Sequence, residues 1–93
     1  MTAQPHRFTD QIVREPVLHE LSPLRLATQQ IALLLSVRQD DDGDWYARLL
    51  FHAPDRPVLA TAEIFRGRSE AELWQSVRQL PEHHVRALFL SLV

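Results

Sequence analysis

The sequence predicts an α+β fold in which a three-stranded antiparallel β-meander is preceded by an irregular or helical N-terminal segment and followed by two short α-helices. Apolar residues recur at every second position in residues 31–37 and 45–53, which is the spacing of strands. The connections between the predicted strands are too short for a parallel crossover, so neighbouring strands run antiparallel. From residue 69 onward the apolar spacing is that of helices.

The segment before the first strand has a broken helical pattern. Four apolar residues lie at roughly helical spacing: Ile12, Val13, Val17 and Leu21. Pro16 would interrupt a continuous helix, because it lacks an amide donor and its ring crowds the preceding turn. We therefore expect two short turns or a kink in residues 8–21, with an irregular edge strand as the alternative. Residues 1–7 are expected to be a frayed leader.

The three predicted strands are residues 24–38, 45–53 and 58–65. The alternating residues of the first are Ile31, Leu33, Leu35 and Val37. A turn at residues 40–44 follows, in which Gly43 adopts a positive φ at little cost. One face of the second strand holds Trp45, Ala47, Leu49, Phe51 and Ala53. Pro54 and Pro57 then supply the turn before the third strand.

The opposite face of the sheet is predicted to be less polar than a solvated face requires. The candidate interface residues on it are Leu34, Tyr46, Leu50, Leu59 and Phe65, beside Arg38, Arg48, His52 and Glu63. Large apolar side chains left bare would each cost about 1.5 to 3 kcal/mol relative to full burial, so we expect this face to be covered. The predicted cover is residues 8–21, and the alternative is a second copy of the chain.

Two helices are predicted at the C-terminal end. Ser69 and Glu72 form a capping box, in which the serine oxygen accepts a backbone N–H and the glutamate reaches back to the amide of Ser69. The inward stripe of the first helix is predicted to be Ala71, Trp74, Val77 and Leu80. Pro81 ends this helix and suits the first turn of the next. The second helix has its stripe at Val85, Leu88, Phe89 and Leu92.

The composition restricts the class of protein. A chain of 93 residues forms one domain, 1–93, and its net charge of −2 gives no positive field that would attract polyanions. The absence of cysteine excludes disulfides, thiolate zinc sites and a thiol nucleophile. The sequence has no signal peptide and no apolar stretch of membrane length, so we expect a cytoplasmic protein without a membrane partner. All ten basic residues are arginine, which we interpret as codon usage in a high-GC bacterial genome.

The aspartates of the predicted hairpin turn are the first candidate for cation binding. Asp40, Asp42 and Asp44 present alternating carboxylates, the ligands that calcium prefers. A calcium loop beginning at Asp40 would however need glycine in place of Trp45 and glutamate in place of Phe51. We therefore interpret the turn as structural and expect no metal or cofactor.

Other catalytic and metal signatures are missing from the sequence. His83 and His84 are neighbours on a helix and point about 100° apart, so they do not readily chelate one ion. Gly43 and Gly67 are the only glycines, too few for a glycine-dependent phosphate loop or a nucleophile elbow. We therefore identify no catalytic residue and favour a role other than an enzyme.

Arg66 and Arg68 are the candidate anion-binding residues. They precede the start of a capped helix, where a phosphate or carboxylate can bind. The order of strands followed by a helix resembles the double-stranded RNA-binding fold, and the resemblance implies phosphate contacts at the start of the last helix. Here Glu70 and Glu72 occupy that first turn and the chain has no lysine, so we do not expect nucleic-acid binding.

The sequence favours two functions without deciding between them. The first is a protein–protein interaction or homo-oligomerising module that uses the part-apolar sheet face or the C-terminal helix. The alternative is a small-molecule or anion-binding domain, catalytic or not, with its site between the sheet and the helices. In that alternative, Arg48, His52 and Glu63 would meet across adjacent strands.

Overall fold

A computed structural model of the chain describes residues 15–93, which contain five strands and two helices. Their bounds are β1 (Val17–Leu26), β2 (Gln29–Gln39), β3 (Trp45–His52), β4 (Leu59–Ala60), β5 (Phe65–Gly67), α1 (Glu70–Arg78) and α2 (Glu82–Leu92). The α+β class is confirmed, as is the order of an antiparallel sheet followed by two helices. The sheet has five strands rather than three, in the order β1-β2-β3-β4, with β5 also paired to β3. No helix in residues 15–93 is long and apolar enough to cross a membrane.

The N-terminal part of the described chain is an edge strand rather than a helix. Residues 17–21, which the sequence placed in helical turns or in an edge strand, pair antiparallel with β2. Pro16 lies immediately before the strand, where a missing N–H removes no ladder hydrogen bond. The predictions for residues 1–7 and 8–14 lie outside the described residues.

A bulge divides β1 into two parts. Leu21 pairs with Leu33 and Leu24 pairs with Ile31, so Ser22 and Pro23 together oppose a single residue of β2. The inserted residue reverses the alternation of side chains, which is why odd-numbered residues before the bulge and even-numbered residues after it point to the same face.

The predicted third strand, 58–65, is broken in two. Leu59 pairs with Phe51, and Phe65 pairs with Ala47. Between β4 and β5 the ladder is continued by Thr61, whose hydroxyl oxygen accepts a hydrogen bond from the Leu49 amide at 3.0 Å while its own N–H donates to the Leu49 carbonyl. Leu59 and Phe65 therefore lie on the face that the helices cover, and their predicted placement on the opposite face is wrong.

Both helices pack on one face of the sheet, and the core lies between the two layers. Its strand residues include the alternating positions of β2 and β3, and its helix residues include Leu73 and Phe89. The rings of Phe51 and Phe89 lie 5.3 Å apart at their centroids. The predicted stripe of α2 is confirmed, because Val85, Leu88, Phe89 and Leu92 all pack in or against this core.

The predicted stripe of α1 needs one correction. Ala71 is exposed, and Leu73 is instead the fully buried residue of the helix. Trp74, Val77 and Leu80 pack against the core while remaining partly exposed. Trp74 meets the ring of His19 edge to face at 4.9 Å, so the indole covers the edge of the core beside β1.

The start of α1 is fixed by its cap and by a glycine. Ser69 Oγ accepts a hydrogen bond from the Glu72 amide at 3.2 Å, as predicted. The Glu72 carboxylate accepts from the Arg68 amide at 2.9 Å, rather than from the amide of Ser69. Gly67 is needed because a Cβ there would lie 2.6 Å from the Leu73 backbone nitrogen. The chain can therefore turn from β5 into α1 within two residues.

The cap predicts a measurable loss of stability on substitution. Ser69→Ala removes the oxygen that satisfies the Glu72 amide and should lower the free energy of unfolding by about 1 kcal/mol. Ser69→Thr retains a capping oxygen and serves as the control, with a smaller loss. Denaturant melts of the three chains measure the difference, and an equal loss in both variants would contradict a capping role.

Candidate functional site

The aspartate turn between β2 and β3 is closed by its own hydrogen bonds. The Asp40 carboxylate accepts from the Asp42 amide at 3.0 Å and from the Asp44 amide at 2.9 Å, and Gly43 has a φ of +90°. Partial desolvation acts to raise the pKa of Asp40, but hydrogen bonds from Asp44, Tyr46 and Asp42 outweigh it and leave this pKa below its ordinary value. Residues 15–93 contain no group of three or more histidine, aspartate or glutamate side chains placed to hold a metal ion.

The sheet face turned away from the helices, called the open face below, carries three of the five candidate interface residues. Its residues are Leu18, Leu34, Ser36, Arg38, Tyr46, Arg48 and Leu50. Leu34 pairs with Leu50, and both are partly exposed, as is Tyr46. Leu18 is 57% exposed at the outer strand. The open face is therefore apolar around the Leu34–Leu50 pair and charged around the Arg38–Tyr46 pair.

The charged cluster has two parts. Arg38 and Arg48 contact the carboxylate of Glu63, and Arg38 and Arg66 lie over the ring of Tyr46. Arg38 makes a bidentate contact with Glu63, at 2.5 Å from Nε and 2.8 Å from an η nitrogen, and Arg48 approaches the same carboxylate at 3.7 Å. The hydrogen bond from Arg38 and the charges of both arginines lower the pKa of Glu63, although partial burial opposes them. The guanidinium carbons of Arg38 and Arg66 lie 4.6 and 5.6 Å from the centre of the Tyr46 ring.

The candidate anion-binding residues lie close together, but acidic groups accompany them. Arg66 and Arg68 line one shallow concavity with Gly67 and Glu72. Arg66 is paired with Asp44 at 3.3 Å. The Arg68 amide, which could bind an anion at the helix start, donates to Glu72. Anion binding by this pair stays a prediction.

Only part of the predicted polar triad is brought together. Arg48 and Glu63 are 3.7 Å apart. His52 lies four residues further along β3, about 13 Å away at the rise of a strand. It lines a different concavity, with Glu20, Ala32 and Pro54 among its neighbours. The structure therefore does not join His52 to the Arg48–Glu63 pair.

An apolar groove beside α2 was not anticipated from the sequence. It runs between the helix and the β4–β5 connection, has a volume of about 440 Å³, and is lined by Ile64, Phe65, Leu80, His84, Ala87, Leu88 and Ser91. Ile64 is 43% exposed, and Leu90 on the outer side of the helix is 53% exposed. The signal available in the sequence was the run of residues 87–93, which has no charged side chain.

A second concavity of about 380 Å³ lies between the sheet and the helices. The bulge residues Ser22 and Pro23 line it from the sheet, and Val77, Leu80 and Val85 line it from the helical layer. Glu82 is the one carboxylate that lines it. The sequence also placed its alternative, ligand-binding site between the sheet and the helices, but at Arg48, His52 and Glu63, none of which lines this concavity.

Two serine hydroxyls and one threonine hydroxyl make hydrogen bonds to the backbone. Ser69 caps α1, Thr61 bridges β4 and β5, and the Ser91 hydroxyl donates to the Leu88 carbonyl at 2.7 Å.

Comparisons with protein-family models, with curated proteins and with solved structures gave no match. The functional argument therefore depends on the surfaces described above.

The Arg38–Glu63 pair predicts a pH-dependent contribution to stability. Because folding lowers the pKa of Glu63, the ionised carboxylate stabilises the fold above its ordinary pKa of about 4.3, and this stabilisation is lost as the pH falls through the lowered folded value. We expect Glu63→Gln to reduce the free energy of unfolding by up to about 1 kcal/mol at neutral pH, the range of partly exposed pairs.

Chemical denaturation of wild type and Glu63→Gln between about pH 7 and pH 2 tests this, and the difference between them should vanish at the acid end. Glu82→Gln is the matched control, since Glu82 is 71% exposed in its pair with Arg86. A difference for Glu63→Gln that is independent of pH would show that the charge of Glu63 contributes nothing.

Proposed function

We propose that this chain is a homo-oligomerising module, a small cytoplasmic protein of bacterial type that acts by protein–protein contact. The observation that supports it most directly is the outer side of α2 with its groove, called the α2 surface below: Ile64, Leu80, His84, Ala87, Leu90 and Ser91. A helix on the surface of a monomer normally turns a charged and polar side to water. The α2 surface instead combines exposed aliphatic side chains with uncharged neighbours.

The open face supports the same function through a second kind of surface. Leu34 and Leu50 form an apolar centre beside Tyr46 and two arginines, and tyrosine and arginine are enriched among residues that dominate interface energies. Helices α1 and α2 cover only the other face. Residues 17–21 extend the sheet at its edge instead of lying over it, so they do not provide the predicted cover.

The oligomeric state in solution tests the proposal. Light scattering coupled to size exclusion should give a molar mass above that of the 10.8 kDa monomer, rising with protein concentration. A chain of residues 15–93 is measured alongside, and it should associate equally if the described residues form the contact. A monomer mass for both chains up to about 1 mM would contradict the proposal, because specific self-association is expected well below that concentration.

A second candidate function is the binding of a small apolar molecule between the sheet and the helices. The volume of about 380 Å³ at the β1 bulge supports it, since ligand pockets start at about 300 Å³. The probe is anilinonaphthalene sulfonate, whose fluorescence rises in apolar sites. Val77→Trp fills the concavity and should abolish probe binding, whereas Leu90→Lys on the α2 surface should leave it unchanged. Equal binding by wild type and Val77→Trp would exclude this site.

A further inference from the structure

We propose that the α2 surface is occupied by α2 of a second copy, so that the two chains form a two-fold dimer through their C-terminal helices. The inference rests on the proposed function and adds the identity of the interface and of its occupant. It selects the α2 surface over the open face.

The first step is the distribution of side chains around α2. At about 100° per residue, Phe89 lies almost opposite Ala87, so burial of Phe89 turns Ala87 outward. Leu90 lies about 60° to one side of Ala87, and Ser91 lies about 40° to the other side, next to the groove. Ala87 is small, and a small residue at a helix contact lets two axes approach to about 8 Å.

The second step is that the shape of this patch is complementary to the same patch on a second copy of the chain. A protruding leucine and a groove flank Ala87 on opposite sides of one helix. A two-fold axis parallel to the two helices exchanges these sides. It places Leu90 of each copy beside Ser91 and the groove of the other. The same patch then serves both partners, as a closed two-fold interface requires.

The third step concerns charge. Residues 87–93 have no charged side chain, so pairing two copies brings no like charges together and buries no unpaired charge. The nearest charges on the helix are Glu82 and Arg86, which are paired with each other at 3.0 Å. Arg86 also donates to the Arg25 carbonyl at 3.3 Å, which directs it towards β1 and away from the groove. A partner with charged side chains would find no complementary group on this patch.

The area of the patch indicates which class of protein–protein interface it could form. Eleven residues of helix measure about 16 Å, and a strip of that length along one side of a helix, with Ile64 and Leu80 added, falls below the usual 800 Å² per partner. We therefore expect a transient dimer that exchanges with the monomer, as is usual for interfaces of this size.

The absence of cysteine allows a direct test by cross-linking. In Ala87→Cys, two thiols that face each other across an 8 Å helix contact should form an intermolecular disulfide on mild oxidation, because helices at about that spacing bring facing Cα atoms within disulfide reach. Val58→Cys is the matched control, since Val58 is 51% exposed in the loop before β4 and belongs to neither surface. Leu18→Cys reports on the open face.

Molar mass measurements on charged variants complete the test. Leu90→Lys should raise the dissociation constant by more than about tenfold, because it would bury an ammonium group, whereas Val58→Lys and Leu34→Lys should leave the mass of the dimer unchanged. Circular dichroism verifies folding, and the cross-linking of Ala87→Cys stands independently of the lysine variants.

The outcomes separate the inference from the proposed function. An oligomer that survives Leu90→Lys but dissociates in Leu34→Lys, with cross-links at Leu18→Cys and none at Ala87→Cys, overturns the inference and leaves self-association in place. A monomeric wild type overturns both. Cross-links at Ala87→Cys together with dissociation in Leu90→Lys support the α2 dimer.

Discussion

The pairing of β2 with β3 is the constraint on which the rest of the structure depends. The two strands share eight residue pairs, from Ala32 with His52 to Gln39 with Trp45, and the aspartate turn fixes their register. In both strands the apolar residues alternate in the same phase, so a single face of the sheet needs a cover. Helices α1 and α2 supply it from one side only. The open face and the outer side of α2, the two surfaces proposed for protein contacts, are consequences of this two-layer arrangement.

Much of this arrangement could be predicted from local sequence signals. The alternation in β2 and β3, the turn at Gly43, the Ser69 cap and the stripe of α2 all have short-range causes, and each is present in the structure. The position of Arg66 and Arg68 beside the helix start also followed from their place in the chain. Their acidic neighbour Asp44 could not be anticipated, because it is brought there by the pairing of β3 with β5.

The errors arose where the end of a strand or its pairing partner has no local signal in the sequence. The predicted first strand, 24–38, combines the end of β1 beyond the bulge at Ser22 and Pro23 with most of β2, because the chain turns back after Leu26. Leu59 and Phe65 lie six residues apart, so an uninterrupted strand would also place them on one face, and which face it is depends on their pairing with Phe51 and Ala47. The groove at Ile64 is equally non-local, because it exists only once α2 lies beside the β4–β5 connection.

The break between β4 and β5 has a further consequence for how the chain behaves at high concentration. An uninterrupted outer strand offers a row of backbone groups on which further chains can add without limit, which is the route to fibrils. Here β3 is bordered by strands of two and three residues separated by residues 61–64, and the strand at the other side of the sheet contains Pro23. Neither border is a long, regular template. Neither border of the described sheet therefore favours the unlimited addition of further chains.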